Sequence, residues 1–237
     1  MKTVVILQSN YIPWKGYFDL MHDADEFILF DDMQYTRRDW RNRNQIKTSK
    51  GAQWLTIPVE VKGKYQQRID ETLISENDWA IKHWQTLRGH YARAPCFRDY
   101  ANDIEALYEA AANETRLSRI NRLFLEGIGR LLGIRTKISW STDYAHFEGK
   151  TERLVSLCEA SGADHYISGP AARNYIQPFL FDSAGIVLSF KDYSGYPEYT
   201  QLHPPFTHAV TVLDLLFNMG EKAPWYIWGW REGQPMP

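Results

Sequence analysis

The chain opens on an unbroken apolar run, Thr3-Val4-Val5-Ile6-Leu7-Gln8. A strand of this kind, rich in β-branched residues with no polar alternation, must be covered on both faces, as strands of parallel sheets are. A polar loop from Ser9 to Gly16 leads into a short helix predicted over Tyr17–Ala24, and Glu26-Phe27-Ile28-Leu29-Phe30 reads as a second strand. Strand, helix and strand within about thirty residues form a βαβ unit, which implies a parallel pair joined by a right-handed crossover.

Beyond it, Gln34 to Lys50 is polar and arginine-rich, Gly51 marks a turn, and Trp54–Val59 is a further strand, with Pro58 confining it to an edge or ending it. Helical periodicity then takes over. Ile81, Trp84, Leu87 and Tyr91 mark one face, ended by Ala94-Pro95; Ile104, Leu107, Tyr108 and Ala111 mark a second. Leu117, Ile120, Phe124, Ile128 and Leu131 mark a third, closed by Gly133. A second α/β half follows, with strands at Thr136–Trp140, His165–Ser168 and Ile186–Phe190, a helix at Thr151–Ser161 stopped by Gly162, and a last helix capped by Thr207. The expected architecture is a single α/β domain over residues 1–237, with a Rossmann-like parallel sheet and a helical insertion at about residues 75–133. The aromatic stretch Trp225–Trp230 is expected to pack against this body.

Composition adds little to that picture but removes alternatives. With 237 residues the chain can bury an ordinary core without staples. Cys96 and Cys158 are far apart and form neither a CxxC motif nor a metal-ligand pair, so they read as idle thiols of a reducing, cytoplasmic setting. Residues 3–7 are too short for a signal-peptide core, and no later run reaches membrane-spanning length. A net charge of −2 gives no reason to expect nucleic acid or an anionic membrane as partner. The aromatic content of 14%, with nine tryptophans, suits a pocket for flat or sugar-like groups, although core packing explains most single rings.

The loop Gln8-Ser9-Asn10-Tyr11-Ile12-Pro13-Trp14-Lys15-Gly16-Tyr17-Phe18 carries the strongest candidate chemistry. A turn directly after the first strand sets backbone amides and a positive helix end at the carboxyl edge of the sheet, where anions bind. Neither GxGxxG nor GxxxxGK[ST] is present. The second candidate segment is Asp31-Asp32-Met33-Gln34-Tyr35, followed by Arg37, Arg38, Arg41, Arg43 and Lys47. It leaves the second strand at a place where α/β ligand sites form, and arginine forks suit phosphate or carboxylate. Arg37 and Arg38 read as solvated side chains paired with Asp31, Asp32 and Asp39. Asp31 and Asp32 are adjacent, so they face opposite ways and do not share a metal.

These residues resemble the WbqC-like family of bacterial surface-polysaccharide gene clusters: Gln8, Tyr11, Pro13-Trp14, Gly16-Tyr17-Phe18, Gln34-Tyr35, Asn42-Arg43, the helix with His83 and Tyr91, Ala94-Pro95, Gly169, Tyr175, Tyr199 and Gln201. The resemblance spans nearly the whole chain. It implies sugar modification in O-antigen or related lipopolysaccharide synthesis, with transfer of an acyl or aminoacyl group to a nucleotide-linked amino sugar. The reactants so implied are a nucleotide sugar and an activated acyl or aminoacyl donor, with an acyl or peptidyl carrier protein as a candidate partner. It raises Arg41, Asn42 and Arg43 as ligand contacts, beside Gln8, Tyr11, Trp14, Lys15, Tyr17, Gln34 and Lys47 of the two candidate segments. A weaker resemblance links the order of loop, helix and strand to HIGH-type nucleotidylyl transferases such as pantothenate synthetase. Gly16 is followed here by Tyr17, however, and the loop has no histidine.

His83 is the candidate general acid or base, because imidazole titrates near neutrality and the residue belongs to the family pattern, and Asp31 is the second candidate for catalysis. Neither His83 with His90 nor His203 with His208 has zinc spacing, so no metal is expected. Ser168-Gly169-Pro170-Ala171-Ala172-Arg173-Asn174-Tyr175 follows a strand of the second half. There Gly169 permits close backbone approach, and Arg173 and Asn174 could hold a phosphate or hydroxyl. Tyr199 and Gln201 offer hydrogen bonds suited to sugar hydroxyls. The loops Gln8–Tyr17, Gln34–Lys47 and Ser168–Tyr175 are expected to meet in one cleft, with His83 facing it and Arg43 reaching back to the positive end of the first helix. No glycosyltransferase DxD signature is present, yet a glycosyltransferase and a noncatalytic nucleotide- or sugar-binding scaffold remain open beside the acyl transferase.

Overall fold

A computed structural model describes residues 1–145 and 147–236. Five strands, β1 (Thr3–Leu7), β2 (Glu26–Leu29), β5 (Lys137–Trp140), β6 (His165–Ser168) and β7 (Val187–Phe190), make one sheet in the order β5-β2-β1-β6-β7. Every pairing in it is parallel, beginning with Val4 opposite Glu26 and Leu7 opposite Leu29 in the first βαβ unit. The architecture is the Rossmann-like α/β fold expected from the sequence.

Strand alternation explains why the apolar runs are continuous. Val5, Phe27 and Leu29 enter a core shared with α1 (Lys15–His22), the consecutive helices α2 (Trp79–Tyr91), α3 (Phe97–Ala111) and α4 (Leu117–Leu131), and α7 (Val212–Met219). Val4, Ile6 and Ile28 point the other way, into a second core closed by α5 (Thr151–Ser161) and α6 (Pro178–Ser183). Both faces of the sheet are therefore covered. Gly162 ends α5 at φ 70°, a left-handed position that glycine adopts without a Cβ clash. Among the described residues, no helix is long and apolar enough to cross a membrane.

Two local expectations are corrected. The polar stretch after residue 34 contains a strand, β3 (Arg43–Thr48), which pairs antiparallel with β4 (Gly51–Thr56) in a separate hairpin. Its sequence RNQIKT hides the strand because its core-facing positions include Asn44 and Thr48, which are buried alongside Ile46. The last helix begins at Val212, not near Thr207, and its cap is Thr211, whose hydroxyl accepts a bond from the Leu213 amide at 3.3 Å. The aromatic tail packs as expected: Trp228 stacks on His22 with centroids 4.0 Å apart, and Arg231 pairs with Asp19 and Asp23.

Loss of that cap should be measurable. Thr211→Ala should lower unfolding stability by about 1 kcal/mol, the usual value for an N-cap threonine, in urea titrations. An unchanged midpoint would show that the Thr211 hydroxyl does not hold the helix start.

Candidate functional site

In a parallel sheet all carboxyl ends lie on one edge, and the crevice opens where the strand order reverses. Here the chain moves from β1 outward to β2 and β5, then returns to the far side of β1 with β6 and β7, so the reversal falls between β1 and β6. A cleft of about 750 Å³ lies at this point, within the range of small-ligand sites. Leu7 and Gln8 leave β1 into it, Phe30 and Met33 follow β2, and Ser168 and Gly169 end β6. Trp40, Tyr175 and Tyr193 supply aromatic surface. Gly149 and Lys150, at the amino end of α5, bring the positive end of a helix and an exposed ammonium group to the same rim.

Gln8 is fixed by Arg41, which donates one arm of its guanidinium to the Gln8 side-chain carbonyl and the other to that of Asn10. Because the arginine consumes both carbonyl oxygens, both amides must turn their NH2 groups away from it. Arg41 also lies 3.6 Å from Asp39. Trp40 stands between the cleft and a second pocket of about 340 Å³, which is lined by Asn10, Pro13, Trp14, Trp40, Asn44, His208 and Ala209.

Other residues named from the sequence lie elsewhere. Tyr11 is fully buried, and its hydroxyl bridges His83 Nδ1 at 2.9 Å and the Tyr108 hydroxyl at 2.7 Å. The Thr56 carbonyl can only accept, so His83 Nε2 carries the ring proton toward it at 3.2 Å, leaving Nδ1 to accept from Tyr11. Burial pushes the His83 pKa down to about 4. The ring packs edge-on against Trp79 and does not face the cleft, which corrects the expectation for it. Asp31 is also buried, and burial raises its pKa while bonds from the Ser9 amide at 2.7 Å and from the Ser118 hydroxyl favour its charge. Asp32 turns the opposite way, to Arg153 and to the Ser141 hydroxyl at 2.6 Å.

Arg43 does not reach back to α1. Its guanidinium stacks 4.1 Å from the centroid of Trp54 and donates to the Arg38 carbonyl, both features of the β3–β4 region. The amino end of α1 is also closed, since a Cβ on Gly16 would lie 2.2 Å from the Trp14 indole and the first turn is buried. Lys15 is buried with it, donating to the carbonyls of Pro197 at 3.1 Å and Tyr226 at 3.3 Å, and burial lowers its pKa to about 8. The Tyr17 hydroxyl bonds the Gln8 backbone carbonyl at 3.0 Å from the protein interior. Lys47 bonds the Pro205 carbonyl, while Tyr199 and Gln201 both donate to buried Asp214 at 2.8 Å. Gln34 and Asn42 line two adjoining surface grooves that share Tyr35, Arg37 and Val61. Arg173 and Asn174 are exposed on the turn after Gly169, with the Arg173 guanidinium 4.3 Å from the centroid of Phe190.

Each of the three loops reaches the cleft, through Gln8, through Trp40 and through Ser168, Gly169 and Tyr175, but Tyr11 and Arg43 are not among the residues that line it. Gln8 and Gly169 face each other; Tyr11 lies beneath, and Arg43 stands on the hairpin. The sequence reading passed over Trp40, Lys150 and Tyr193. Gly149-Lys150-Thr151 at a helix start and Tyr193 after the last strand of the sheet carried the available signals. Among the described residues, no group of three histidine, cysteine or acidic side chains is placed to hold a metal ion.

The WbqC-like protein family model matches residues 8–226, beginning at the first residue of the cleft contributed after β1. This chain belongs to the WbqC-like protein family. An uncharacterized protein of Mycobacterium tuberculosis, Rv1507c, is similar to it, with 51% identity over 227 residues covering 96% of this chain and 98% of that protein. No solved structure matches. Of the residues that carry the resemblance, Gln8, Gly169 and Tyr175 line the cleft, whereas Tyr11, Tyr91 and Tyr199 are buried.

The buried imidazole has a pH signature. Its folded pKa, about 4, is below the value of about 6.5 for an unfolded histidine. The unfolded chain therefore binds the proton first, and stability falls as pH drops from 6.5 toward 4, by an amount on the order of 3 kcal/mol. Urea unfolding across that range should show a smaller acid loss for His83→Gln than for the wild type. Identical pH slopes would mean that His83 titrates freely.

Proposed function

We propose that the protein is a transferase that binds a nucleotide-linked amino sugar in the β1–β6 cleft and adds an acyl or aminoacyl group to it during surface-polysaccharide synthesis. The observation that carries this reading is the placement of the cleft at the sheet reversal, with aromatic faces for a base and the amino end of α5 with Lys150 for phosphate. The resemblance to surface-polysaccharide proteins supplies the substrate class. An activated acyl or aminoacyl donor, free or on a carrier protein, is the second reactant. The free thiols Cys96 and Cys158 fit the same cytoplasmic setting.

One observation favours a second reading, a noncatalytic binding protein of the same pathway. The two proton-transfer candidates, His83 and Asp31, are buried and engaged with internal partners. A catalytic version of the site must therefore draw its proton acceptor from the cleft rim or from the substrate amine itself.

Thermal shift against panels of nucleoside diphosphates, nucleotide sugars and acyl-coenzyme A separates these readings. Nucleotide sugars should raise the melting temperature, and acyl transfer should appear when an acyl donor is added. Turnover of a nucleotide sugar without any acyl donor would indicate glycosyl transfer instead, and binding without turnover a scaffold. A Cβ on Gly169 meets nothing within 4 Å, so Gly169→Trp should fill the cleft without destabilising the unliganded protein. It should abolish the nucleotide shift, and Lys150→Ala should weaken binding about two- to fivefold at low salt, as expected for one exposed charge. Full binding by Gly169→Trp would place the ligand elsewhere.

A further inference from the structure

We infer that the pocket between Trp14 and Trp40 is a second subsite that receives the pyranose ring of the amino sugar, while the nucleotide portion lies in the β1–β6 cleft; this rests on the nucleotide-sugar reading above. Three features point to a sugar ring. First, the pocket walls are two indoles, whose flat apolar faces suit the C–H faces of a pyranose. Trp14 is held in place by edge contacts with Tyr193 at 5.2 Å and Tyr196 at 5.9 Å between centroids. The subsite is thus built before any ligand arrives.

Second, the donors at its mouth are already oriented. Asn10 lines the pocket and Gln8 lines the cleft, and Arg41 holds the carbonyl oxygens of both. With its oxygen held, each amide keeps its NH2 group as a donor, Asn10 beside the pocket and Gln8 beside the cleft with Trp40 lining both, so donors are on hand where a diphosphate would join the two ends of the ligand. Asn44 cannot contribute in the same way, because its amide nitrogen serves the carbonyls of Tyr11 and Ile12 at 3.1 and 3.0 Å and its oxygen takes the Gln45 amide at 2.8 Å.

Third, the volume and chemistry of the two spaces differ in the way two ends of one ligand require. The larger has aromatic rings beside Lys150 and a helix amino end; the smaller, about 340 Å³, has indoles, one free amide group and the His208 imidazole. Burial and the nearby Lys15 charge lower the His208 pKa, so the ring is neutral at pH 7 and offers no charge to hold a phosphate there. A neutral, hydroxyl-bearing ring is the better match.

Ala209 is exposed at the pocket edge, so Ala209→Trp fills this subsite alone. Saturation-transfer NMR with the methyl glycosides of glucosamine and N-acetylglucosamine should give a signal with the wild type that falls at least about fivefold in Ala209→Trp. Titration calorimetry should show uridine, guanosine or thymidine diphosphate binding both proteins equally. The corresponding N-acetylhexosamine nucleotide should bind the wild type about tenfold more tightly than the bare diphosphate, a difference of about 1.4 kcal/mol, and Ala209→Trp should erase that gain. Glycoside binding that Ala209→Trp removes, with no nucleotide binding at all, would uphold the subsite and sink the nucleotide reading of the cleft. Nucleotide binding with no glycoside signal and no gain from the sugar, or a gain that survives Ala209→Trp, would overturn the subsite.

Discussion

A carboxylate that has been taken out of water must be answered by donors on all sides, and Asp31 imposes that demand at the end of β2. Its donors come from two distant parts of the chain, and a third part supports one of them. The Ser9 amide ties it to the exit of β1, and the Ser118 hydroxyl ties it to α4; Ser118 in turn accepts from the Trp140 indole at 3.2 Å at the end of β5. Asn121, one turn further along α4, donates to the Ser9 hydroxyl and to the Arg41 carbonyl, both at 2.9 Å. The loop that presents Gln8 and Asn10 is thus pinned from below by one buried acid and its partners.

The same economy explains the hydroxyl chain beneath that loop. Tyr108, Tyr11, His83 and the Thr56 carbonyl lie in series and join α3, the β1 loop, α2 and β4. In the interior a half-satisfied chain of this kind is costly, so each member requires the next. Tyr91 plays the matching part at the carboxyl end of α2, accepting from the Lys47 amide and donating to Asp214. These polar contacts fasten the three consecutive helices and the hairpin to the sheet, where apolar packing alone would leave their register less defined.

This arrangement accounts for what could be seen in the sequence. Continuous apolar runs at residues 3–7 and 27–30 revealed the parallel strands because burial on both faces leaves no room for alternation, and the helix faces of α2 to α4 followed from spacing. The hairpin strand at residues 43–48 escaped because its buried positions are filled by hydrogen-bonded polar groups. The site was harder for a related reason. Histidine, tyrosine and acid in a family pattern look alike whether they serve a ligand or an interior network, and only burial separates the two. Gln8 and Gly169 were legible because topology alone puts the ends of β1 and β6 at the edge. Trp40 and Lys150 come together through loops whose course no periodicity encodes.

The two lips of the cleft are built differently, and the difference bears on how a ligand would be held. On the β1 side, Gln8 and Asn10 are clamped by Arg41, the Trp40 carbonyl accepts from the Tyr11 amide at 3.0 Å, and the Arg41 carbonyl is bound by Asn121. On the β6 side, Lys150 and Tyr175 line the cleft with exposed side chains, which can reorient at little cost. A wall fixed in advance loses little entropy on binding and so sets orientation; an open lip pays that entropy but adapts to the group it covers. On the proposed function, the β1 lip would set specificity for the constant part of the ligand and the β6 lip would tolerate its variable part.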